Sequence, residues 1–511
     1  MLRALPRVWV RHAYVSDTYF HLYCSQVIRE NKYRLPKKLP RVLLNHAYTY
    51  PFGYHYLLAL FPYPYRLWFE RLTGAIFDTL SCVIIYCFLT WMIMEKFLTS
   101  FSHLPMLVTA LYAFSPALLR IPWGPRSYHG SPRVMAETLY LLHITSAYFS
   151  LVSKSLPGLI VSLLSGAALM LTAKFGVQVL FFFGIFFSFF VYPSYAFLIL
   201  GCFVTALILT WGHSWRIIKG HIRHSVFYFK HIQRVFIWPQ LKTVRDYLFS
   251  LIESLRDTVR FRKWWRFVQW YYSERYFLHV LITVYPQFVF FLSWVRRWEY
   301  MSSFEQFLMI WMGAGLFWFF LTSFKWTLFI GEGDRYLEYA LLPSLVLFTY
   351  YFMASHRYLI YGFLVYSLGS ALYYLMVFVL GHRVDDQNYE VADAVFKKLN
   401  QSPEGTIWPI GPFHYQALVR TRFPVLSHGG NIDGGLLSPQ EFMLVYGNYP
   451  YPSDDFVEIV KRYKVSYILG DRISLKYYRE KVMRGTEDLD RSVQILWDTP
   501  GLLIGKVTRV G

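Results

Sequence analysis

Five groups of residues in this 511-residue chain have the types and spacing to do chemistry. In VSDTYFHLYCSQVIRENKYRLP, Asp17 precedes a helical run and His21 falls one turn later on the same face, so a carboxylate and an imidazole point together. Such a carboxylate can take a proton from an attacking hydroxyl. The plainer alternative is that Asp17 caps the helix and His21 is a surface neighbour. In FIGEGDRYLEYALLP, Glu332, Asp334, Arg335 and Tyr336 open a membrane helix. Arginine there suits a phosphate because its planar fork donates two hydrogen bonds, although charged turns at helix ends are also ordinary solvated boundaries. Lys174, in ALMLTAKFGVQVL, interrupts two apolar runs and either lines a polar cavity or snorkels to an interface. Arg120, Arg126 and Arg133 flank the loop IPWGPRSYHGSPR, with Glu137 four residues on as a partner for Arg133. Asp78 is the one acid well inside the first apolar segment, and an intramembrane carboxylate is a functional candidate.

The elements that must hold these groups are mostly apolar. With 55% hydrophobic, 21% aromatic and 16% charged residues, the chain excludes a soluble fold and reads as a membrane protein. Cys24, Cys82, Cys87 and Cys202 show no zinc or redox spacing, so neither a disulfide nor a structural metal is expected. Arginines at 3, 7 and 11 leave the amino end neither a signal peptide nor a complete spanning helix. Ten apolar segments fall near 74–94, 104–119, 135–153, 157–173, 176–190, 193–212, 278–295, 304–323, 337–354 and 358–380. Alternating direction then puts residues 1–72, the loops at 120–134, 174–176, 213–277 and 324–336, and the tail on one face. That face carries thirty Lys and Arg in its loops and the other only five. Within 213–277, apolar residues such as Val244, Leu248, Leu251, Leu255 and Val259 recur at helical spacing among basic ones. This is the pattern of helices lying in the membrane interface, as a support or as a substrate groove.

Beyond Leu380 the helix of VADAVFKKL, the strand TIWPI, the helix DDFVEIVKRY, the strand SYILG and short strands near ILWD and LLIGKV describe a small α/β domain. It contains no nucleotide-binding motif. The expected fold is an α-helical polytopic membrane protein of about ten segments. Its parts are an extramembrane region 1–72 with the acidic motif, a helical domain 73–380 and a soluble α/β domain 381–511.

The combination of SDTYFH before an amphipathic helix, YTYPFGYHYLLALF before a membrane helix, an extramembrane loop two spans later, GDRYLEYALLP before a late membrane helix and a soluble carboxyl-terminal domain resembles the GT-C superfamily of polytopic glycosyltransferases. The resemblance implies transfer of a sugar from a polyprenyl-phosphate or polyprenyl-diphosphate donor to a glycan, lipid or protein acceptor in envelope assembly. It places the catalytic acid at Asp17 and the lipid-phosphate contact at Arg335, with His21 orienting the acceptor or the carboxylate, and Lys174 and Arg126 as further phosphate ligands. Tyr336, Glu332, Asp334 and Asp78 are further candidates. A single base without a second carboxylate as nucleophile implies direct displacement with inversion. No cofactor is read from the residues; the family admits a divalent cation, Mg or Mn, but its paired acids are absent here and Asp17 stands alone.

Only sixteen residues precede Asp17, where the family has a membrane helix, so that helix is expected to be missing or the start incomplete. The basic face would be cytoplasmic by the positive-inside rule, whereas the family's active site faces away from the cytoplasm. The external assignment, in a prokaryotic cell membrane, is adopted because the rule is weakest for long loops and an anionic donor itself calls for positive charge. The rival classes are a transporter or lipid flippase, with Asp78, Glu137 and Lys174 as translocation charges, and a non-catalytic scaffold.

Overall fold

The computed structural model describes residues 4–12, 16–44, 47–98, 102–119, 130–232, 243–411, 413–427, 438–446, 455–478, 480, 492–499 and 501–508. Apolar helices dominate. Tyr65–Met94, Ser303–Thr322 and the stretch Arg357–Arg383 are each long and apolar enough to cross a bilayer. Two bent pairs, Tyr195–Leu209 with His213–His231 and Phe277–Val284 with Pro286–Val295, qualify when each is taken as one span. Leu104–Leu119, Leu156–Thr172, Lys174–Phe190 and Leu341–Met353 are shorter. Length and composition thus give three spanning helices among the described residues, or five with the bent pairs, against ten apolar segments in the sequence. A helix of 17 residues rises only about 25 Å, less than the ~30 Å hydrocarbon thickness, so packing against neighbours must complete it.

Local sequence sets the helix ends. Ser131 accepts from the Arg133 amide and Ser155 from that of Gly158, each followed by proline in the first turn of its helix. Ser302 and Glu305 form a reciprocal capping box. The single extended residue Ala173 separates Leu156–Thr172 from Lys174–Phe190 and leaves Lys174 at the first position of its helix.

The basic segment forms helices His213–Phe227, Val244–Phe261 and Trp264–Ser273. On Val244–Phe261 the apolar Val244, Leu248, Leu255 and Val259 are exposed, while Ser250 turns inward to Glu274 and to the Trp270 indole. Tyr271 and Tyr272 tie the Trp264–Ser273 helix to Tyr366 and Ser370 of the last membrane helix. The pair thus turns one face to protein and leaves apolar side chains open on the other.

The last membrane helix, Arg357–Gln401, continues 45 residues without a break and takes in VADAVFKKL. The boundary at 380/381 therefore falls inside a helix, because hydropathy changes where the lipid ends whereas backbone hydrogen bonding does not. Four strands follow: β1 (Thr406–Pro409), β2 (Val465–Gly470), β3 (Val493–Thr499) and β4 (Leu502–Val507), in the order β1-β2-β4-β3. β1 and β2 are parallel; β4 is antiparallel to both its neighbours. The amino-terminal region is bound into this domain rather than lying apart. The Leu43 amide donates to the Val425 carbonyl (3.1 Å), and Tyr19, Phe20, Tyr23 and Ile28 share a core with Phe396, Ile407, Tyr467 and Ile504.

Candidate active site

Four charged side chains from four separate segments lie within electrostatic reach of Tyr50, at a bend before the helix Gly53–Leu60. The Lys174 ammonium lies 4.8 Å from the centre of its ring. Burial, and after it the Asp17 carboxylate, push the Tyr50 hydroxyl pKa up, while Arg335 and Arg133 pull it down, so all three lie within electrostatic reach of one phenol. The ring itself is held by stacking on His55 (centroids 5.5 Å apart) and by the edge of Phe20 (5.3 Å).

Asp17 is the second residue of the helix Ser16–Glu30, inside it rather than at its cap, and is exposed. The helix amino terminus favours its negative charge. His21 does not share its surroundings. It is only 4% exposed, and its Nδ1 lies 2.7 Å from His55 Nε2, while His55 Nδ1 lies 2.5 Å from the Tyr48 hydroxyl. Asp17 is exposed in a first turn whose next residues, Thr18 and Tyr19, are buried, as His21 is one turn on. Burial pushes the His21 pKa down to about 3, and burial with His21 beside it lowers that of His55.

Arg335 lies 2.6 Å from the Glu332 carboxylate, and its guanidinium is 5.7 Å from the ring of Phe175, the residue after Lys174. Burial opposes its charge, but Glu332, Asp334 and Glu338 more than offset that and raise its pKa. Its Nε is buried with no hydrogen-bond partner among the described residues. Tyr336 is fully buried against the same Phe175 ring, and its hydroxyl donates to the Ile330 carbonyl. Asp334 is half-buried, and its carbonyl accepts from Tyr285. Asp78 lies eight residues beyond Glu70 in the same helix, about 12 Å further along its axis, and is buried. Arg120 and Arg126 lie outside the described residues. Arg133 is half-buried beside Tyr50, whereas Glu137 is buried on the same helix.

Sequence reasoning took YTYPFGYHY as a motif but did not single out Tyr50. Nor did it single out His221 on the helix His213–Phe227, which lies within electrostatic reach of Lys174. This helix reaches the site because Gly220 has no side chain: a Cβ there would lie 2.6 Å from that of Thr49. One turn before His221, Ile218 edges an apolar groove of about 600 Å³, lined also by Phe181, Ile185, Ile199 and Phe203. Among the described residues no three His, Cys, Asp or Glu gather to hold a metal ion.

Compared with known proteins, no family model and no curated protein matches this chain. Solved structures do. The oligosaccharyltransferase of Archaeoglobus fulgidus in complex with Zn and sulfate superposes with a TM-score of 0.55 over 99% of this chain and 72% of that one, at 12% identity. Its apo form gives 0.54 over 98% and 74%, also at 12% identity. ArnT from Cupriavidus metallidurans in the apo state gives 0.50 over 98% of this chain and 95% of that one, at 11% identity. The chain has the fold of these structures.

Proposed function

We propose that this protein is a membrane glycosyltransferase that moves a sugar from a polyprenyl-(di)phosphate donor to a glycan, lipid or protein acceptor on the extracytoplasmic face of a prokaryotic membrane. The observation that carries the reading is that one exposed carboxylate and three cations lie within electrostatic reach of Tyr50, with an apolar groove one turn along the helix from His221. The cations suit a phosphate, and the groove, leading by Ile218 and His221 to Lys174, suits a polyprenyl chain. Ten spans, with thirty of the loop Lys and Arg on one side and five on the other, remain the topology of this proposal.

In the reaction proposed, Asp17 takes the proton of the acceptor hydroxyl as its oxygen bonds to the anomeric carbon. The bond from that carbon to the donor phosphate oxygen breaks, and the phosphate leaves with the electron pair. Attack opposite the leaving group inverts the centre. Lys174, Arg133 and the unsatisfied Nε of Arg335 stabilise the charge on the departing phosphate. His21, turned to His55, supports the helix that presents Asp17 and does not orient the acceptor. Replacing Asp17 by Asn in purified, reconstituted protein should abolish transfer of a radiolabelled sugar from a polyprenyl-phosphate donor while the melting temperature is kept. Transfer at the parental rate would end the proposal.

A further inference from the structure

Glu70 takes no part in the reaction just described, yet it joins the two turns that serve it. It lies in the second turn of the Tyr65–Met94 helix and is fully buried. Its Oε2 accepts from Arg7 Nη2 at 3.2 Å. Its Oε1 accepts from the Thr18 hydroxyl at 3.3 Å and from the Gly130 amide at 2.7 Å. Thr18 follows Asp17 directly, and Gly130 precedes Arg133 by three residues. One oxygen therefore holds both the turn that presents the carboxylate and the turn that presents a cation to Tyr50.

The close approach is built in. A Cβ on Gly130 would stand 2.6 Å from Glu70 Cγ and 2.4 Å from the Tyr54 hydroxyl, so only glycine lets its amide reach the carboxylate. Tyr54 in turn meets Thr73, one turn beyond Glu70 on the same helix. A carboxylate buried this fully is costly unless paired and hydrogen-bonded, and an apolar residue would fill the space more cheaply. What an apolar residue could not do is accept from two turns at once.

We infer that Glu70 is a positioning residue that fixes the separation of Asp17 and Arg133 without touching substrate. This rests on the reading of those two residues as base and phosphate ligand. The test uses full-length protein in nanodiscs. Glu70→Met nearly keeps the volume but accepts nothing, Thr18→Val removes one hydrogen bond, and Arg7→Met with Glu70→Met removes the ion pair as a unit. Expected for Glu70→Met is a fall in kcat of about 10- to 100-fold with the donor KM within about threefold, the range for loss of a supporting shell. Thr18→Val should lower kcat by a smaller factor at the parental melting temperature. The double variant should regain melting temperature lost in Glu70→Met but not kcat. Nitroxides on Asp17→Cys and Arg133→Cys give a readout independent of sugar transfer, and Glu70→Met should broaden their distance distribution.

The inference is overturned if folded Glu70→Met keeps kcat within twofold and an unchanged distribution. It is overturned equally if the double variant recovers kcat together with melting temperature, since Glu70 would then only balance Arg7. Broadening in a protein whose parent transfers no sugar would uphold the positioning role and sink the proposed reaction instead.

Discussion

Replacing Lys174 by Met tests the phosphate side of the site. Two interactions are lost. The first is the cation–π contact with Tyr50 at 4.8 Å, which at a half-buried position contributes about 0.5–2 kcal/mol to the folded protein. The second is attraction to the departing phosphate, which for unit charges ~4 Å apart at an effective dielectric of about 20 reaches about 4 kcal/mol. Partial solvent access lowers this to about 2–4 kcal/mol, or about 30- to 900-fold in rate. Lys174→Met is therefore expected to lower kcat for transfer from a polyprenyl-phosphate sugar by about two orders of magnitude, with a loss of melting temperature of only a few degrees. Lys174→Arg should retain part of the rate, because charge survives although geometry changes. Steady-state kinetics in nanodiscs with a synthetic donor, alongside thermal unfolding, measure both. A methionine variant that is stable and transfers within threefold of the parent would show that the ammonium only packs on Tyr50.

The neighbouring arginine responds in two directions. Glu332→Gln releases Arg335 from its 2.6 Å partner and should lower the donor KM. Arg335→Lys loses the fork and should reduce kcat/KM by about 1.5–3 kcal/mol, about 10- to 150-fold; donor titrations of both variants check this. Ala196→Trp places a ring in the groove from its exposed side. At about 0.8 kcal/mol per buried CH2, displacing two or three of them should raise the KM of a long-chain donor by about 30-fold and leave a donor too short to reach the groove unchanged. The buried His21 has a folded pKa of about 3 against the ordinary histidine value of 6.5, so its stabilising contribution is complete above pH 6.5. It is lost as pH falls from 6.5 towards 3, where only the unfolded chain gains the proton, at about 1.4 kcal/mol per pH unit. His55 adds to the loss with the same sign. Melting temperature should therefore drop steeply between pH 6.5 and 4, and His21→Leu should flatten the slope.

The sequence by itself determined the class of the molecule and the segregation of its charge. Apolar runs are a property of the local chain, and so is the basic content of the loops between them. Asp17 in the first turn of a helix, Lys174 at a break between apolar runs and Arg335 before a late helix were legible for the same reason: helix signals act over a few residues. Periodicity also said that Asp17 and His21 share a face, but it could not say where along that face the support ends. Tertiary packing therefore decided that one is exposed and the other closed against His55.

Only the tertiary structure brought Tyr50 among the charges, set Glu332 and its acidic neighbours against Arg335, and joined Glu70 to Arg7 and Thr18, 63 and 52 residues away. Such contacts leave little trace in local spacing. A buried carboxylate is stabilised by whichever donors the fold delivers, and those are fixed by how helices pack, not by the residues beside it in the chain.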